Sequence, residues 1–280
     1  MKTKRNYYLL TGLVLGFAFL YIPILLLIVF SFNEAKITTQ WSSFSLKWYG
    51  ILFRNDQILN AAVISLKIAV VSATVSTVIG TMGAIALARF KKFKGKTLFA
   101  GLMLAPMVMP EVITGLSMLL FFIWMETAFG WPDGRGVTTI ALAHITFCIT
   151  FVAVIVQARL NSMDEDLEEA AMDLGGRPVR VLFGITLPLI APAMVSGWLL
   201  AFTMSLDDVI LASFVSGPAS TTLPLAIYSK IKLGVSPDIN ALATIIIAIV
   251  TVGVVIAGFV INKKEKDYQR DIQMAIAANE

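Results

Sequence analysis

Four lysine, aspartate or glutamate residues lie inside long apolar stretches of the sequence, where a charge is costly: Lys67, Glu111, Asp207 and Asp208. A charged side chain at the centre of a membrane helix costs about 2.5 to 3.5 kcal/mol on insertion scales, so each one requires a partner or a function. Carboxylates in such positions can stabilise a cation that has lost its water. Glu111 and Asp207 are the favoured candidates for lining a path for such a cation, and Asp208 is a further candidate.

Two aromatic residues precede the aspartate pair and could add attraction for a cation. Trp198 and Phe202 lie in the same apolar run as Asp207, and the face of an aromatic ring attracts an ammonium group. A structural alternative stays open, because Lys67 could pair with Asp207 or Asp208 and simply fasten two helices together.

No catalytic or metal-binding constellation is predicted. The single histidine, His144, has no acidic cluster near it in sequence, and a hydrogen bond between packed helices is its expected role. The single cysteine, Cys148, lies in an apolar run and is expected to be inert packing. A membrane-embedded enzyme is therefore discounted, and no metal ligand is predicted.

The sequence matches only part of a phosphate-binding loop pattern. Gly95, Lys96 and Thr97 supply the end of the G-x-x-x-x-G-K-[ST] pattern, but Phe90 stands where its first glycine is needed. The fragment also joins two apolar runs instead of a strand and a helix. We therefore expect no ATP site in this chain.

The elements that carry these residues are predicted to be membrane helices. The sequence of 280 residues is 58% hydrophobic and 14% charged, with a mean hydropathy of +0.83, and a bilayer core needs about 20 mostly apolar residues per helix. Glu111 is 14 residues into the third run, or about 21 Å along a continuous helix. The six apolar runs cover about 7–32, 61–88, 97–125, 137–158, 187–214 and 240–261.

The loops differ in their content of lysine and arginine. Fifteen of these residues flank one side of the six spans and six flank the other, which predicts that both termini are cytoplasmic. The net charge of +4 is explained by this asymmetry, so a nucleic-acid partner is not expected. No loop is long enough for a soluble domain, and residues 1–280 are predicted to form one membrane domain.

The loop at 159–186, between the fourth and fifth spans, has its own pattern. Leu167, Ala170, Ala171 and Leu174 recur at helical spacing opposite an acidic face, which predicts a short amphipathic helix. A Gly-Gly pair at 175–176 can end that helix, and a proline at 178 can begin another. Such a helix could dock into a groove on another protein, whereas a solvated connection is the alternative that composition allows.

The same loop resembles the signature of binding-protein-dependent ABC importer permeases. That signature reads Glu-Ala-Ala, three residues, Gly, nine residues, Ile, one residue, Leu-Pro. It is matched here by Glu169, Ala170, Ala171, Gly175, Ile185, Leu187 and Pro188. The resemblance implies that the loop forms a coupling helix that sits in a cleft of a separate ATPase subunit.

Further segments are similar to the spermidine/putrescine branch of that family, and are closest to second permease subunits of putrescine importers. They lie at 31–33, 198–208, 213–218, 222–224, 234–237 and 240–244. The resemblance implies an all-α fold with six transmembrane helices, the type I importer permease fold, in a bacterial inner membrane. It implies no catalytic role for this chain.

The resemblance also implies a set of partners. They are a second, related permease, two copies of an ATPase that binds ATP and Mg²⁺, and a periplasmic polyamine-binding protein. The expected function is putrescine import, and this chain is expected to bind no cofactor itself. The alternatives are import of spermidine or another cationic solute, and an ion-coupled secondary amine transporter, which buried carboxylates would allow.

Overall fold

The structure, a computed structural model, describes residues 7–36, 40–90, 92–164, 166–234, 236–253, 255, 256 and 259. The chain divides into two compact units. One consists of residues 57–229, and the other of residues 1–56 with 230–280. The description as one membrane domain stays a prediction.

Helices account for most of the described residues, and among these residues the only β-type pairing is an isolated bridge between Asn33 and Phe44. A short π-helix, Leu182–Thr186, leads directly into the α-helix that begins at Leu187. The α-helices are α1 Tyr7–Ser31, α2 Lys47–Leu52, α3 Asp56–Arg89, α4 Lys96–Val108, α5 Glu111–Phe129, α6 Val137–Asn161, α7 Asp166–Asp173, α8 Pro178–Val181, α9 Leu187–Asp207, α10 Ile210–Val215, α11 Leu223–Leu233 and α12 Pro237–Gly253.

Five helical segments in the described part of the chain are long and apolar enough to cross a membrane. They correspond to the first five predicted runs, and the apolar α12 begins the sixth, whose last residues lie outside the described residues. Two of the predicted runs are not continuous helices. The third run consists of α4 and α5, and the fifth consists of α9 and α10.

The break in the third run corrects the predicted depth of Glu111. Met109 and Pro110 adopt extended backbone between α4 and α5, and Glu111 is the first residue of α5. Proline has no N–H for the helical ladder, and it restricts the residue before it to extended conformations. The estimate of about 21 Å along a continuous helix therefore does not apply, and Glu111 lies at a helix start with an exposed side chain.

The core of residues 57–229 is built around α6, which packs closely on α9. A Cβ atom on Gly80 of α3 would lie 2.9 Å from the Ile149 carbonyl, and one on Gly197 of α9 would lie 3.3 Å from the Val152 side chain. Small residues let helix backbones approach in this way, which is how membrane helices gain packing contacts. Buried members of this core include Ala73, Val152, Val156, Ile190 and Ala201.

The unit formed by residues 1–56 and 230–280 contains α1, α2 and α12. Its loop before α2 is organised by Asn33, whose side chain accepts hydrogen bonds from Ser42 and donates one to the Gln40 carbonyl. Trp48 of α2 donates its indole N–H to the Asn33 carbonyl at 2.8 Å. Farther along the chain, Lys230 forms an ion pair with Asp238, and the Nζ to Oδ2 distance is 2.5 Å.

Candidate functional site

Two broken helices place the predicted carboxylates. Glu111 begins α5 immediately after the break in the third run, and Asp207 ends α9 at the break in the fifth. The helices that follow the two breaks pack on each other, because α10 lies against α5 and Phe214 contacts Gly115. Discontinuous helices with polar ends are a common way to build a solute site inside a membrane protein.

Asp208 is held inside this arrangement by the protein itself. Its Oδ1 accepts the backbone N–H of Leu211 at 3.2 Å, and its Oδ2 accepts that of Ala212 at 2.8 Å. These bonds satisfy N–H groups at the start of α10 that have no partner within the helix. The carboxylate therefore caps α10 and stabilises the break in the fifth run.

The same carboxylate binds His144. The Nε2 atom of His144 lies 3.1 Å from Oδ2 of Asp208, and its Nδ1 atom lies 2.7 Å from the Ser205 hydroxyl. The His144 residue is only 1% exposed. With the proton on Nε2, His144 donates to Asp208 and accepts the hydroxyl of Ser205. The expected helix-packing role of His144 agrees with this geometry.

Asp207 and Lys67 are placed differently from Asp208. Both side chains are exposed, and they form no ion pair with each other within the part of the chain that the structure describes. Lys67 is not paired with Asp208 either, which instead lies against His144. The alternative that Lys67 fastens helices through either aspartate is thus not what the described residues show. Of the two carboxylates at this break, Asp207 is therefore the exposed one.

Exposed polar residues mark one face of α3 and one face of α9. On α3 they are Asn60, Lys67 and Thr74, spaced by seven residues. On α9 they are Ser196, Thr203 and Asp207. Seven residues are close to two helical turns, and the four residues from Thr203 to Asp207 are close to one, so each set lies along one side of its helix.

Trp198 connects these two helices. Its Nε1–H donates to the Thr74 hydroxyl at 3.1 Å, and its ring stacks on Phe202 with a centroid distance of 5.3 Å and an interplanar angle of 10°. Both rings also pack against the buried core around α6. The two aromatic residues predicted for the path therefore lie together beside the polar faces, and both also contribute to helix packing.

An apolar cavity of about 530 Å³ lies among α4, α5 and α6. Its wall includes Pro106, Met109, Thr114 and Phe121, and no charged side chain contributes to it among the described residues. A diamine stripped of water requires carboxylates or similar groups. This cavity does not provide them, so we do not assign the solute path to it.

The loop at 159–186 forms the expected short helix, α7, whose end is fixed by two glycines. Gly175 has φ of +87°, a conformation that is strained for residues with a Cβ atom. Gly176 approaches the backbone so closely that a Cβ atom would lie 2.6 Å from the Ala171 carbonyl oxygen. The turn after α7 therefore requires glycine at both positions, and it leads to α8, which begins at Pro178 as predicted.

The signature residues of this loop divide between its surface and its interior. Glu169, Ala170, Gly175 and Pro188 are exposed, whereas Ala171, Ile185 and Leu187 are half-buried. Large apolar side chains protrude beside them, and Leu174 is 91% exposed. An exposed apolar helix end of this kind is typical of a protein interaction site.

The contact that joins this loop to the membrane helices was not predicted from the sequence. Arg89, the last residue of α3, forms an ion pair with Glu168 of α7, and Thr186 donates to the same carboxylate. The signal available in the sequence was weak: a basic residue at the end of an apolar run and an acidic residue next to the Glu-Ala-Ala pattern. A helix-packing hydrogen bond was predicted for His144, but nothing in its spacing identifies Asp208 as the partner.

Solved structures share this fold. A chain of a bacterial ABC transporter involved in the import of the acidic polysaccharide alginate superposes with a TM-score of 0.68 at 17% identity, covering 91% of this chain and 95% of its own length. A chain of the MetNI methionine ABC transporter, in an inward-facing conformation, superposes with a TM-score of 0.55 at 15% identity, covering 77% and 96%. These likenesses confirm the predicted type I ABC importer permease fold.

Sequence relatives cover almost the whole chain. Permease protein PotI of the putrescine transport system of Escherichia coli (strain K12) is 51% identical over 275 residues, which is 98% of each chain. Permease protein PotC of the spermidine/putrescine transport system of the same strain is 42% identical over 257 residues, covering 92% of this chain and 95% of its own. These matches confirm the predicted spermidine/putrescine branch, and a permease rather than an ATPase.

The model of one protein family matches residues 76–264, which include both breaks and the loop that carries the signature. The family is described as the binding-protein-dependent transport system inner membrane component. This chain belongs to that family.

Proposed function

We propose that this chain is a permease subunit of an ATP-driven importer of putrescine. The observation that carries the proposal is its 51% identity, over 98% of both chains, to a permease of a putrescine transport system. The 42% identity to a spermidine/putrescine permease makes spermidine the nearest alternative substrate. Both are polyamines, so the cationic character of the substrate does not depend on which one is preferred.

The carboxylates at the helix breaks are the proposed contacts for the polyamine. Asp207 and Glu111 have exposed side chains at points where the helical backbone is interrupted. Each would replace part of the water that an ammonium group loses on entering the membrane. Trp198 and Phe202 lie on the same helix as Asp207, and we propose that they line the path next to it. Asp208 contributes by fixing the break rather than by meeting the solute.

The loop at 159–186 is the proposed contact with the ATPase. Its exposed residues, Glu169, Ala170 and Leu174 among them, would enter a groove on that subunit, while Ile185 and Leu187 anchor the loop to the membrane helices. ATP and Mg²⁺ would be bound by the ATPase. Two copies of it would serve this chain and a second permease of the same family.

Two observations support the expected orientation in the membrane. The family is an inner membrane component, and the excess of lysine and arginine favours the cytoplasm for both chain ends. The loop at 159–186 would then face the cytoplasm, where the ATPase is. The helix breaks at Asp207 and Glu111 would receive the solute from a periplasmic binding protein on the other side.

An ion-coupled secondary transporter is the alternative mechanism, since exposed carboxylates at helix breaks could also bind protons. It does not account for the Glu-Ala-Ala loop or for the family to which the chain belongs. The two mechanisms differ in their source of energy, and this difference can be measured directly.

The test is uptake of labelled putrescine into proteoliposomes that contain the complete complex. The binding protein is added to the solution outside the liposomes. Enclosed ATP is expected to drive uptake, and collapse of the proton gradient by an ionophore is expected to leave it unchanged. Uptake that needs the proton gradient and ignores ATP would contradict the proposed function.

A further inference from the structure

Glu168 lies on the inward side of the proposed coupling helix α7, next to the exposed Glu169. Its Oε2 atom is 2.9 Å from Nε of Arg89, and its Oε1 atom accepts a hydrogen bond from Nη2 of Arg89 at 3.1 Å. The two side chains are only 14% and 15% exposed. This is an arginine–carboxylate ion pair with one hydrogen bond, and it is largely removed from water.

The contact extends to two further elements. Thr186, the last residue of the π-helix that leads into α9, donates its hydroxyl to Oε1 of Glu168 at 2.9 Å. Arg89 also donates from Nη1 to the carbonyl of Leu160 in α6, at the longer distance of 3.4 Å. One charged pair therefore connects α7 with the ends of α3 and α6 and with the start of α9.

The geometry of this pair is suited to transmitting a displacement. Arg89 and Glu168 meet at two pairs of atoms, the hydrogen-bonded Nη2 and Oε1 and the ion-paired Nε and Oε2, so the planar guanidinium is held in orientation as well as in distance. Charges in a largely dry environment also interact more strongly than charges in water. A movement of α7 that displaced Glu168 would therefore displace its bonded partners, Arg89 and Thr186, as well.

The neighbouring glutamates are placed for different partners. Adjacent helical residues differ by about 100° around the helix axis. Glu169, which belongs to the Glu-Ala-Ala pattern, is exposed, while Glu168 is turned toward Arg89. One side of α7 thus presents the signature to an incoming protein, and another side is bonded to the membrane helices.

We propose that Arg89, Glu168 and Thr186 form a positioning link through which movement of α7 is passed to α3 and α9. The proposal rests on the proposed function, because it assigns to this link the step between the ATPase contact and the solute path. It assigns no contact with the solute or with ATP to the three residues. The link would determine how much solute is transported for each ATP that is hydrolysed.

The test compares variants in the complete complex in proteoliposomes, with ATP hydrolysis and uptake measured on the same preparation. In Arg89→Gln and Glu168→Gln the ATPase subunit should still purify with the complex. Uptake per ATP is expected to fall by about 2- to 30-fold, the range of effects seen when coupling networks are mutated. Lys92→Gln, an exposed position in the same basic loop, is the control and is expected to behave like the native protein.

Exchanging the charges of Arg89 and Glu168 distinguishes loss of this specific contact from a general loss of structure. Arg89→Glu and Glu168→Arg are each expected to lower uptake per ATP, and the double variant is expected to recover part of it. Native uptake per ATP in Arg89→Gln and Glu168→Gln would overturn the proposal, as would a double variant no better than either reversal alone. If the charge variants fail to assemble, Thr186→Val keeps both charges, and an unchanged ratio in that variant would overturn the proposal.

The solute in these assays is the one that stimulates the native complex. An error in the proposed substrate then changes which solute the native complex takes up. An error in the proposed link instead leaves the variants indistinguishable from the native complex. The two failures are therefore separate results of the same experiment.

Discussion

The imidazole of His144 lies 3.1 Å from the carboxylate of Asp208, and this contact ties α6 to the break between α9 and α10. A second contact holds the other end of α10, where Thr139 of α6 donates to the Val215 carbonyl at 2.7 Å. The short helix is thus fixed at both ends to the same neighbour. Asp207, one residue before Asp208, takes no part in these two contacts, so the adjacent aspartates have different expected roles.

Removal of the Asp208 carboxylate should destabilise the protein. Asp208→Ala deprives His144 and the N–H groups of Leu211 and Ala212 of their acceptor, and buried groups left without a partner cost about 1 to 3 kcal/mol each. We expect a clear fall in the apparent melting temperature of the detergent-solubilised protein. Asp207→Ala is the matched control and should leave the melting temperature nearly unchanged. Equal melting temperatures for Asp208→Ala and the native protein would contradict the capping role.

Neutralising the exposed carboxylates should weaken transport without affecting stability. Asp207→Asn and Glu111→Gln each remove a charge that would face the ammonium groups, and a charge-assisted hydrogen bond contributes about 1.5 to 3 kcal/mol, or roughly 10- to 100-fold in affinity. We expect a lower rate or a weaker apparent affinity for putrescine uptake. Glu126→Gln, an exposed carboxylate near the other end of α5, is the control. Unchanged uptake in both variants, assembled normally, would show that these carboxylates do not line the path.

The aromatic pair on α9 allows its structural and transport roles to be separated. Trp198→Phe keeps a ring that can stack on Phe202 but removes the hydrogen bond to Thr74, for a stability cost of about 0.5 to 1.5 kcal/mol. Trp198→Leu removes the ring face as well. If Trp198 attracts the substrate, uptake should fall further in Trp198→Leu than in Trp198→Phe. Equal uptake in the two variants would leave Trp198 with a packing role only.

The two glycines after α7 should be essential to coupling but not to the membrane core. Gly175→Ala places a Cβ on a residue at positive φ, which costs about 1 to 2 kcal/mol, and Gly176→Ala would push a Cβ into the Ala171 carbonyl. Both should reduce ATPase stimulation by the permease while the melting temperature of the core stays near native. Gly184→Ala is the control, because a Cβ there would meet nothing within 4 Å. Normal stimulation in Gly175→Ala and Gly176→Ala would contradict this account of the turn.

Much of the architecture could be predicted because membrane helices and a short amphipathic helix leave strong local patterns. Long apolar runs, loops rich in basic residues and the Gly175-Gly176 turn are all visible in sequence. The breaks were harder to predict. Pro110 signals the interruption before Glu111, but no proline marks the end of α9, where the Asp208 side chain replaces helical hydrogen bonds at the start of α10.

Contacts between distant residues account for what the sequence left open. Asp208 and His144 are 64 positions apart, and Arg89 and Glu168 are 79 apart. No spacing rule connects such pairs, since their meeting depends on how α3, α6 and α9 pack. For this reason the partners of Asp208 could be identified only from the structure, whereas the signature in the loop is visible in the sequence.

The most direct test of polyamine import by this permease is ATP hydrolysis by the complete complex, reconstituted with its ATPase, second permease and binding protein. Hydrolysis is measured with putrescine, spermidine, a cationic amino acid and maltose in turn. We predict that putrescine stimulates hydrolysis most strongly, and that maltose and the amino acid do not stimulate it. Stimulation by a solute other than a polyamine, with none by putrescine or spermidine, would contradict the account.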